Sequence, residues 1–198
     1  QALRNTHNGI SMLETAASAA TEMGNMVQRT RELTLQGISD STTAAQKAMM
    51  QGEVDEMLKA IQSIAKDTQY NNINLLDGSS QSMHIQVGTI AGQTFDVSIS
   101  ALTLEELNLD GLDILTDPGQ ALAKTDAAIT VITNAQAKFG VDVGLLNQSL
   151  ETLMTGSLSF EAARGRIIDA DYASDTTTLA SKTIMGQAAI AMVSQANQ

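Results

Sequence analysis

The chain has no cysteine and no tryptophan, and only one of its 198 residues is proline. Without cysteine it can form neither disulfides nor cysteine-ligated metal sites. Aromatic residues make up 3% of the sequence, whereas hydrophobic residues make up 43%. A core must therefore be built from alanine, leucine, isoleucine, valine and methionine, the side chains that favour close packing of helices.

Basic residues and long apolar runs are also scarce. Eleven lysines and arginines face 22 acidic residues, which gives a net charge of -11. A polyanion repels nucleic acid and anionic lipid, so we expect neither nucleic acid nor membrane as a partner. No run approaches the roughly 18 apolar residues of a membrane span. The first residues, Gln1 to Asn5, include neither an initiator methionine nor a signal-peptide core, which indicates an internal fragment.

Motifs that carry chemistry are missing as well. The sequence contains no nucleotide-binding glycine pattern and no nucleophile elbow, and neither His7 nor His84 has metal-ligand spacing around it. Residues 169–175 begin like a calcium loop, but Ser174 and Ala180 stand where the turn glycine and the bidentate glutamate belong. We expect no catalytic residue, no metal and no cofactor. A metalloenzyme built on a helical bundle is the alternative from another functional class, and metal analysis would test it.

Two helices are predicted in the N-terminal part. Small and apolar residues recur at spacings of three and four from Leu3 to Ile38, and methionines and alanines between Met12 and Met26 form a second stripe. Gly37 ends this helix, and the polar residues Ser39, Asp40 and Ser41 supply caps for the next. The second helix is predicted from Thr43 to Thr68. Its buried face consists of Val54, Leu58, Ile61 and Ala65.

The remaining pattern predicts a hairpin and more helix. Alternating residues at 83–87 and 94–99 predict a β-hairpin, and 102–115 is predicted as loop with room for one short helix. Asp117 and Pro118 start a long helix that keeps its apolar stripe to Leu153. A joint is predicted at 169–172, and a final helix from Leu179.

These elements predict a mainly α fold, an elongated antiparallel bundle of two N-terminal helices and one long C-terminal helix with a small β-hairpin. The predicted segments are 1–70 for the N-terminal helical half and 71–117 for the hairpin and its connection. Residues 118–168 form the long helix, and 169–198 the joint and a partial terminal helix.

Residues 28–36 interrupt the apolar pattern with polar side chains. On a helix, Arg29, Leu33 and Gln36 fall on one face. A cation, an aliphatic side chain and an amide that project together are typical of protein recognition, so this segment is predicted to be a recognition surface.

A series of short motifs resembles bacterial flagellins, in family order and over nearly the whole chain. They are Gln1–Asn5, Asn8–Ser11, Gln28–Leu33, Thr68–Asn71, Ile85–Gly88, Ala163–Ile167, Asp169–Ala173 and Gln195–Gln198. The resemblance implies a structural subunit of the flagellar filament, the propeller of bacterial motility. It also implies an extracellular location, reached through the flagellar export apparatus without a cleaved signal peptide. Implied partners are other flagellin subunits, an export chaperone and the host Toll-like receptor 5.

The chain departs from the family pattern in two places. The short segment between Ile99 and Pro118 replaces the outer domains of larger flagellins, and the terminal helices are expected to be truncated. Such a fragment of the inner helical core is not expected to polymerise. A hook–filament junction protein of the same broad family is the alternative function.

Site residues follow from the same resemblance. The family's receptor determinants correspond to Arg29, Leu33 and Glu53, and Gln28 and Gln36 flank them. Arg29 would offer a planar donor fork, Leu33 an apolar anchor and Glu53 an acceptor for a basic partner, whereas Arg31 is expected to serve the bundle. The expected chaperone contacts are Leu179, Ile184, Ile190 and Val193, apolar side chains that a partner must shield from water.

Overall fold

A computed structural model describes residues 1–80, 82–88, 90, 92–168 and 172–198. The chain divides into two compact units, Gln1–Leu153 (unit 1) and Met154–Gln198 (unit 2), and one helix runs from the first into the second. The mainly α class with a small β-hairpin is confirmed. The helices are α1 (Ala2–Ile38), α2 (Ala44–Asp67), α3 (Pro118–Ile168) and α4 (Tyr172–Ala196). The strands are β1 (Gln69–Tyr70), β2 (Ile73–Asn74), β3 (Met83–Gln86) and β4 (Thr94–Val97).

Helix α1 ends at Ile38, next to the predicted stop at Gly37, but the cap of α2 differs from the prediction. The capping residue is Thr43 rather than Ser39, Asp40 or Ser41. Its hydroxyl accepts a hydrogen bond from the Gln46 N–H at 3.3 Å, and its own N–H donates to Gln46 Oε1 at 2.9 Å. Only Thr43 has a glutamine three residues later, and this reciprocal pair satisfies two backbone donors at once.

The core of unit 1 follows the predicted stripes closely. Helix α2 buries the four predicted residues, Val54, Leu58, Ile61 and Ala65. Both stripes of α1 contribute buried side chains, since Leu13 and Val27 come from one and Met12 and Met23 from the other. Helix α3 adds Ile132, Phe139 and Leu146 from its predicted stripe. An α1 with two apolar stripes thus packs against more than one neighbour.

Contacts between the helices give their relative directions. Arg29 and Thr30 of α1 contact Glu53 and Met57 of α2. Gln136 of α3 donates to the Ala20 carbonyl at 3.1 Å, whereas Arg31, farther along α1, bonds to Asp126, which is earlier in α3. Where the two helices contact each other, residue numbers increase along α1 as they decrease along α3. Helix α3 is therefore antiparallel to α1, as predicted.

The described residues form two small hairpins, whereas one was predicted. The predicted one pairs β3 with β4, from Met83 opposite Val97 to Gln86 opposite Thr94. Its Ile85 packs against Gly9 of α1 so tightly that a Cβ at Gly9 would lie 2.4 Å from the isoleucine Cδ1. The second pairs β1 with β2, directly after α2.

The turn between β1 and β2 explains why this second hairpin forms. Its two residues, Asn71 and Asn72, have φ values of 51° and 62°. Two successive left-handed residues make the type I′ turn that matches the twist of a two-residue hairpin, and asparagine tolerates that conformation better than most residues. No hairpin was predicted at these two asparagines.

The connection at 102–115 contains turns and no helix, but it is part of the core. Five of its side chains are buried: Leu102, Leu107, Leu109, Leu112 and Ile114. Two glutamines of α2 fasten its backbone: Gln62 Oε1 accepts the Leu104 N–H at 3.2 Å, and Gln51 Oε1 accepts the Ile114 N–H at 2.8 Å. We call residues 102–115 the connecting segment. Its burial was not predicted.

Unit 2 consists of the second part of α3 and of α4. Among the described residues α3 extends to Ile168, the residue at which the long helix was predicted to end. Helix α4 begins at Tyr172, earlier than the predicted Leu179. The joint was predicted at 169–172, and of these residues the structure describes only Tyr172. The motif residues at 169 and 171, which also begin the calcium-like pattern, lie outside the described residues.

Candidate protein-recognition surfaces

Arg29 and Glu53 form the centre of a polar cluster that joins α1 to α2. The Nε and Nη2 atoms of Arg29 donate to Glu53 Oε1 at 3.1 and 3.0 Å, and its Nη1 donates to Glu32 Oε2 at 3.2 Å. All three side chains are exposed. The hydrogen bond to Glu53, and after it the one to Glu32, raises the pKa of Arg29 above its usual value. We call these three residues the Arg29 cluster.

This geometry changes how the two charged site residues can act. From the sequence, Arg29 is predicted to donate hydrogen bonds to a receptor carboxylate or carbonyl. Glu53 is predicted to accept from a basic partner, as a separate group. The structure instead bonds the guanidinium to the carboxylate. Any partner therefore meets a guanidinium that is already bonded to two carboxylates, those of Glu53 and Glu32.

Leu33 is not part of the exposed surface. Its side chain is 2% exposed and belongs to the hydrophobic core, so the prediction that Leu33 is an apolar anchor for a receptor is wrong. The reason is its place on α1, between the buried Thr30 and the buried Gly37 at spacings of three and four. Gln28 and Gln36 are both exposed, as expected of surface residues.

Arg31 joins a different pair of helices. Its Nε atom lies 2.5 Å from Asp126 Oδ1 of α3, so it links α1 to α3 rather than to α2. The expectation that Arg31 serves the bundle is confirmed.

Further charged groups lie outside the Arg29 cluster. No group of three histidine, aspartate or glutamate side chains in the described ranges is close enough to hold a metal ion. His84 Nδ1 lies 2.5 Å from Asp96 Oδ1 across the exposed face of the β3–β4 hairpin, and this hydrogen bond lowers the pKa of Asp96. His7 is an exposed residue of α1. None of the described helices is long and apolar enough to cross a membrane.

Unit 2 presents a second and chemically different surface. Its large apolar side chains are exposed, and we call them together the unit 2 apolar surface. They are Met154, Leu158, Phe160, Ile167, Ile168, Tyr172, Leu179, Ile184, Met185, Ile190, Met192 and Val193. The four residues predicted to contact a chaperone are among them. Exposed large apolar side chains in this number are unusual for a soluble monomer, so they indicate association.

The apolar residues of α4 lie on every side of the helix. At 100° per residue, Leu179, Ile190 and Val193 share one side. Met185 and Met192 share a second side, about 120° round the helix from the first, and Ile184 lies on a third side, about 150° from the first. A helix that is apolar all round is stable only when neighbours cover more than one side. A single docking groove would leave part of it in water.

Comparison with known proteins assigns both ends of the chain to one family. Residues 1–81 match the bacterial flagellin N-terminal helical region, and residues 122–198 match the bacterial flagellin C-terminal helical region. The flagellin of Halalkalibacterium halodurans is 29% identical over 100% of this chain and 74% of its own length. The flagellin of Listeria monocytogenes is 28% identical over 100% of this chain and 75% of its own length.

Solved structures share the fold. The crystal structure of Bacillus cereus flagellin has a TM-score of 0.69 and 24% identity, covering 81% of this chain and 94% of that one. A flagellar hook-associated protein from Vibrio parahaemolyticus has a TM-score of 0.73 and 15% identity, covering 84% and 89%. The two family regions lie in the family's order and together include α1, α2 and α4 and nearly all of α3. The chain therefore belongs to the bacterial flagellins, which are not enzymes but structural subunits that polymerise into the extracellular flagellar filament.

Proposed function

We propose that this flagellin is held in the filament by the unit 2 apolar surface, which packs against several other copies of the chain. The observation that carries the proposal is that α4 has exposed apolar residues all round. Burying one leucine, isoleucine, valine or phenylalanine side chain contributes about 1.5–3 kcal/mol. Burial of several of them is therefore comparable to the roughly 4–15 kcal/mol that association loses in translational and rotational freedom.

A pair of matched substitutions tests this proposal. Ile190 of α4 is 72% exposed and Met49 of α2 is 71% exposed, so they differ in location but not in accessibility. In the full-length protein, we expect Ile190→Asp to raise the critical concentration for filament assembly about tenfold or more, because assembly would bury an unpaired charge. Met49→Asp should assemble like the wild type. Filament formation by Ile190→Asp at the wild-type concentration, followed by light scattering and electron microscopy, would contradict the proposal.

For the host receptor, we propose that Toll-like receptor 5 recognises the Arg29 cluster together with Gln28 and Gln36. The support is the family resemblance of these positions and the exposure of the cluster. Both bonds from Arg29 to Glu53 end on Oε1, so Oε2 remains open to a donor from the receptor. Leu33 would then act indirectly, by holding this part of α1 in the core.

The bonded pair predicts how substitutions combine. Arg29→Ala and Glu53→Ala should each weaken binding to the receptor ectodomain about tenfold, as is typical of charge-assisted contacts at an interface. Because each substitution breaks the same pair, the double variant should lose little more than either single variant. Lys59→Ala is the control, since Lys59 forms an exposed ion pair with Glu56 on the same helix α2. Wild-type-like binding by the double variant would contradict receptor recognition at this site.

Before assembly, we propose that the export chaperone covers α4 through Leu179, Ile184, Ile190 and Val193. The support is the exposure of all four side chains. Because Ile184 lies on a different side of α4 from the other three, a chaperone that surrounds the helix must lose affinity in Ile184→Asp. Binding that survives deletion of residues 172–198, measured by co-purification with the chaperone, would exclude this role.

The alternative is a hook–filament junction protein. The specific observation in its favour is the shared fold with the hook-associated protein of Vibrio parahaemolyticus. Labelled protein mixed with full-length flagellin separates the two functions. A filament subunit is incorporated along the whole filament, whereas a junction protein is confined to one end.

A further inference from the structure

Methionine is the only sulfur-containing residue of this chain, which has ten methionines and no cysteine. Their environments differ sharply. Met12 and Met23 are buried in unit 1 at 6% and 0% exposure, whereas Met185 and Met192 of α4 are 56% and 71% exposed. Met49 and Met154 are also exposed. Oxidation of methionine follows access to the sulfur, so the fold divides the ten into open and protected groups.

Met185 and Met192 are also distinguished by position. They lie seven residues apart on α4, and therefore on one side of the helix, two turns apart along the axis. That side differs from the side of Leu179, Ile190 and Val193, and it is part of the unit 2 apolar surface. A change in the polarity of these two side chains would therefore change one complete side of α4.

We propose that Met185 and Met192 are oxidation sites whose conversion to sulfoxide prevents the unit 2 apolar surface from associating. The oxidant is a peroxide. A lone pair of the thioether sulfur attacks one peroxide oxygen, the O–O bond breaks and an S–O bond forms. With hydrogen peroxide the second oxygen leaves as hydroxide, the sulfonium oxygen gives up its proton, and water is the product. The sulfur loses two electrons and the peroxide gains them.

The sulfoxide acts on association through its polarity. Oxidation replaces a flexible apolar side chain by one with a strong hydrogen-bond acceptor. An acceptor buried in an apolar interface without a donor is unfavourable, by about tenfold in the association constant for each group. The inference rests on the proposed burial of α4 between subunits. Subunits would be sensitive to peroxide before assembly, and the assembled filament would protect the same sulfurs.

The test uses the full-length protein, treated briefly with hydrogen peroxide before assembly, with mass spectrometry to locate the sulfoxides. We expect Met49, Met154, Met185 and Met192 to be oxidised first and Met12 and Met23 last. The critical concentration for assembly should rise at least tenfold after oxidation. Met185→Leu/Met192→Leu should assemble normally before and after peroxide, because leucine keeps the apolar surface and removes the sulfur. Met49→Leu is the control, because Met49 is as exposed as Met192 but lies outside unit 2, and it should remain sensitive.

Each outcome decides the inference. Equal assembly of oxidised and untreated wild type, or sensitivity that persists in the Met185→Leu/Met192→Leu variant, would overturn it and leave the filament role of unit 2 intact. Loss of sensitivity in the Met49→Leu variant would show that the effect arises at a sulfur outside unit 2 and would also overturn the inference. Failure of untreated protein to assemble would overturn the proposed function itself, and this inference with it. Peroxide treatment of finished filaments should leave Met185 and Met192 unmodified.

Discussion

Replacing Gln51 by alanine should detach part of the connecting segment from α2. The side chain of Gln51 makes two bonds to the backbone of this segment, which no other residue replaces in the described structure. Its Oε1 accepts the Ile114 N–H at 2.8 Å, and its Nε2 donates to the Leu112 carbonyl at 3.0 Å. The side chains of Leu112 and Ile114 are buried, so this stretch of backbone is held against the core.

The magnitude follows from those two bonds. A hydrogen bond contributes about 0.5–1.5 kcal/mol net, and a buried polar group left without a partner is unfavourable by about 1–3 kcal/mol. Water can replace one of the two partners because Gln51 is itself partly exposed. We therefore expect Gln51→Ala to lower the free energy of unfolding by about 1–3 kcal/mol.

Urea unfolding followed by circular dichroism measures this loss as a shift in midpoint at unchanged slope. Gln62→Ala is a graded control, because Gln62 makes a single bond of 3.2 Å to the same segment and should show a smaller loss. Gln51→Glu keeps the acceptor for Ile114 but turns a second oxygen toward the Leu112 carbonyl, and should be destabilised as well. A change of less than about 0.5 kcal/mol in Gln51→Ala, the range of ordinary surface substitutions, would refute the reasoning.

Three further substitutions test other parts of the fold. Thr43→Ala removes the hydroxyl that caps α2 and should lower the free energy of unfolding by about 0.5–2 kcal/mol, measured by urea unfolding. Gly9→Ala should loosen the β3–β4 hairpin by pushing Ile85 away, which hydrogen exchange of the hairpin amides would detect. Desolvation raises the pKa of Asp142, whose Oδ2 is buried without a partner among the described residues. Asp142→Ala should therefore have a higher melting temperature than wild type at neutral pH. This difference in melting temperature should become smaller as the pH falls through the raised pKa, because the wild-type carboxylate then gains a proton.

The helices could be predicted because their burial follows a period. The four buried residues of α2 are spaced by three and four, and a proline after an aspartate marks the start of α3. Leu33 could not be assigned in the same way. Residues 28–36 mix polar and apolar side chains, so a recognition face and a core stripe both fit the pattern. Tertiary packing decides which side chains of this segment are buried and which are exposed.

The connecting segment lies outside any periodic rule. Its buried side chains occur at irregular spacings, set by turns in which Asn108 and Gly111 take positive φ values. Two glutamines of α2 bond to the backbone of the segment, and the sequence contains no local sign that Gln51 and Gln62 point toward it. The β1–β2 hairpin is similarly too short for an alternating pattern. Its only local signal is the pair Asn71 and Asn72.

Burial of α4 on all sides in the filament is the central claim, and thiol labelling tests it most directly. Because the chain has no cysteine, Ala189→Cys and Ala191→Cys each introduce a single thiol, and two residues two positions apart lie on opposite sides of a helix. Both positions are exposed in the subunit. A maleimide should label both variants rapidly before assembly and neither after it, with denatured filaments giving the full signal. Equal labelling rates in subunit and filament at either position would contradict the claim.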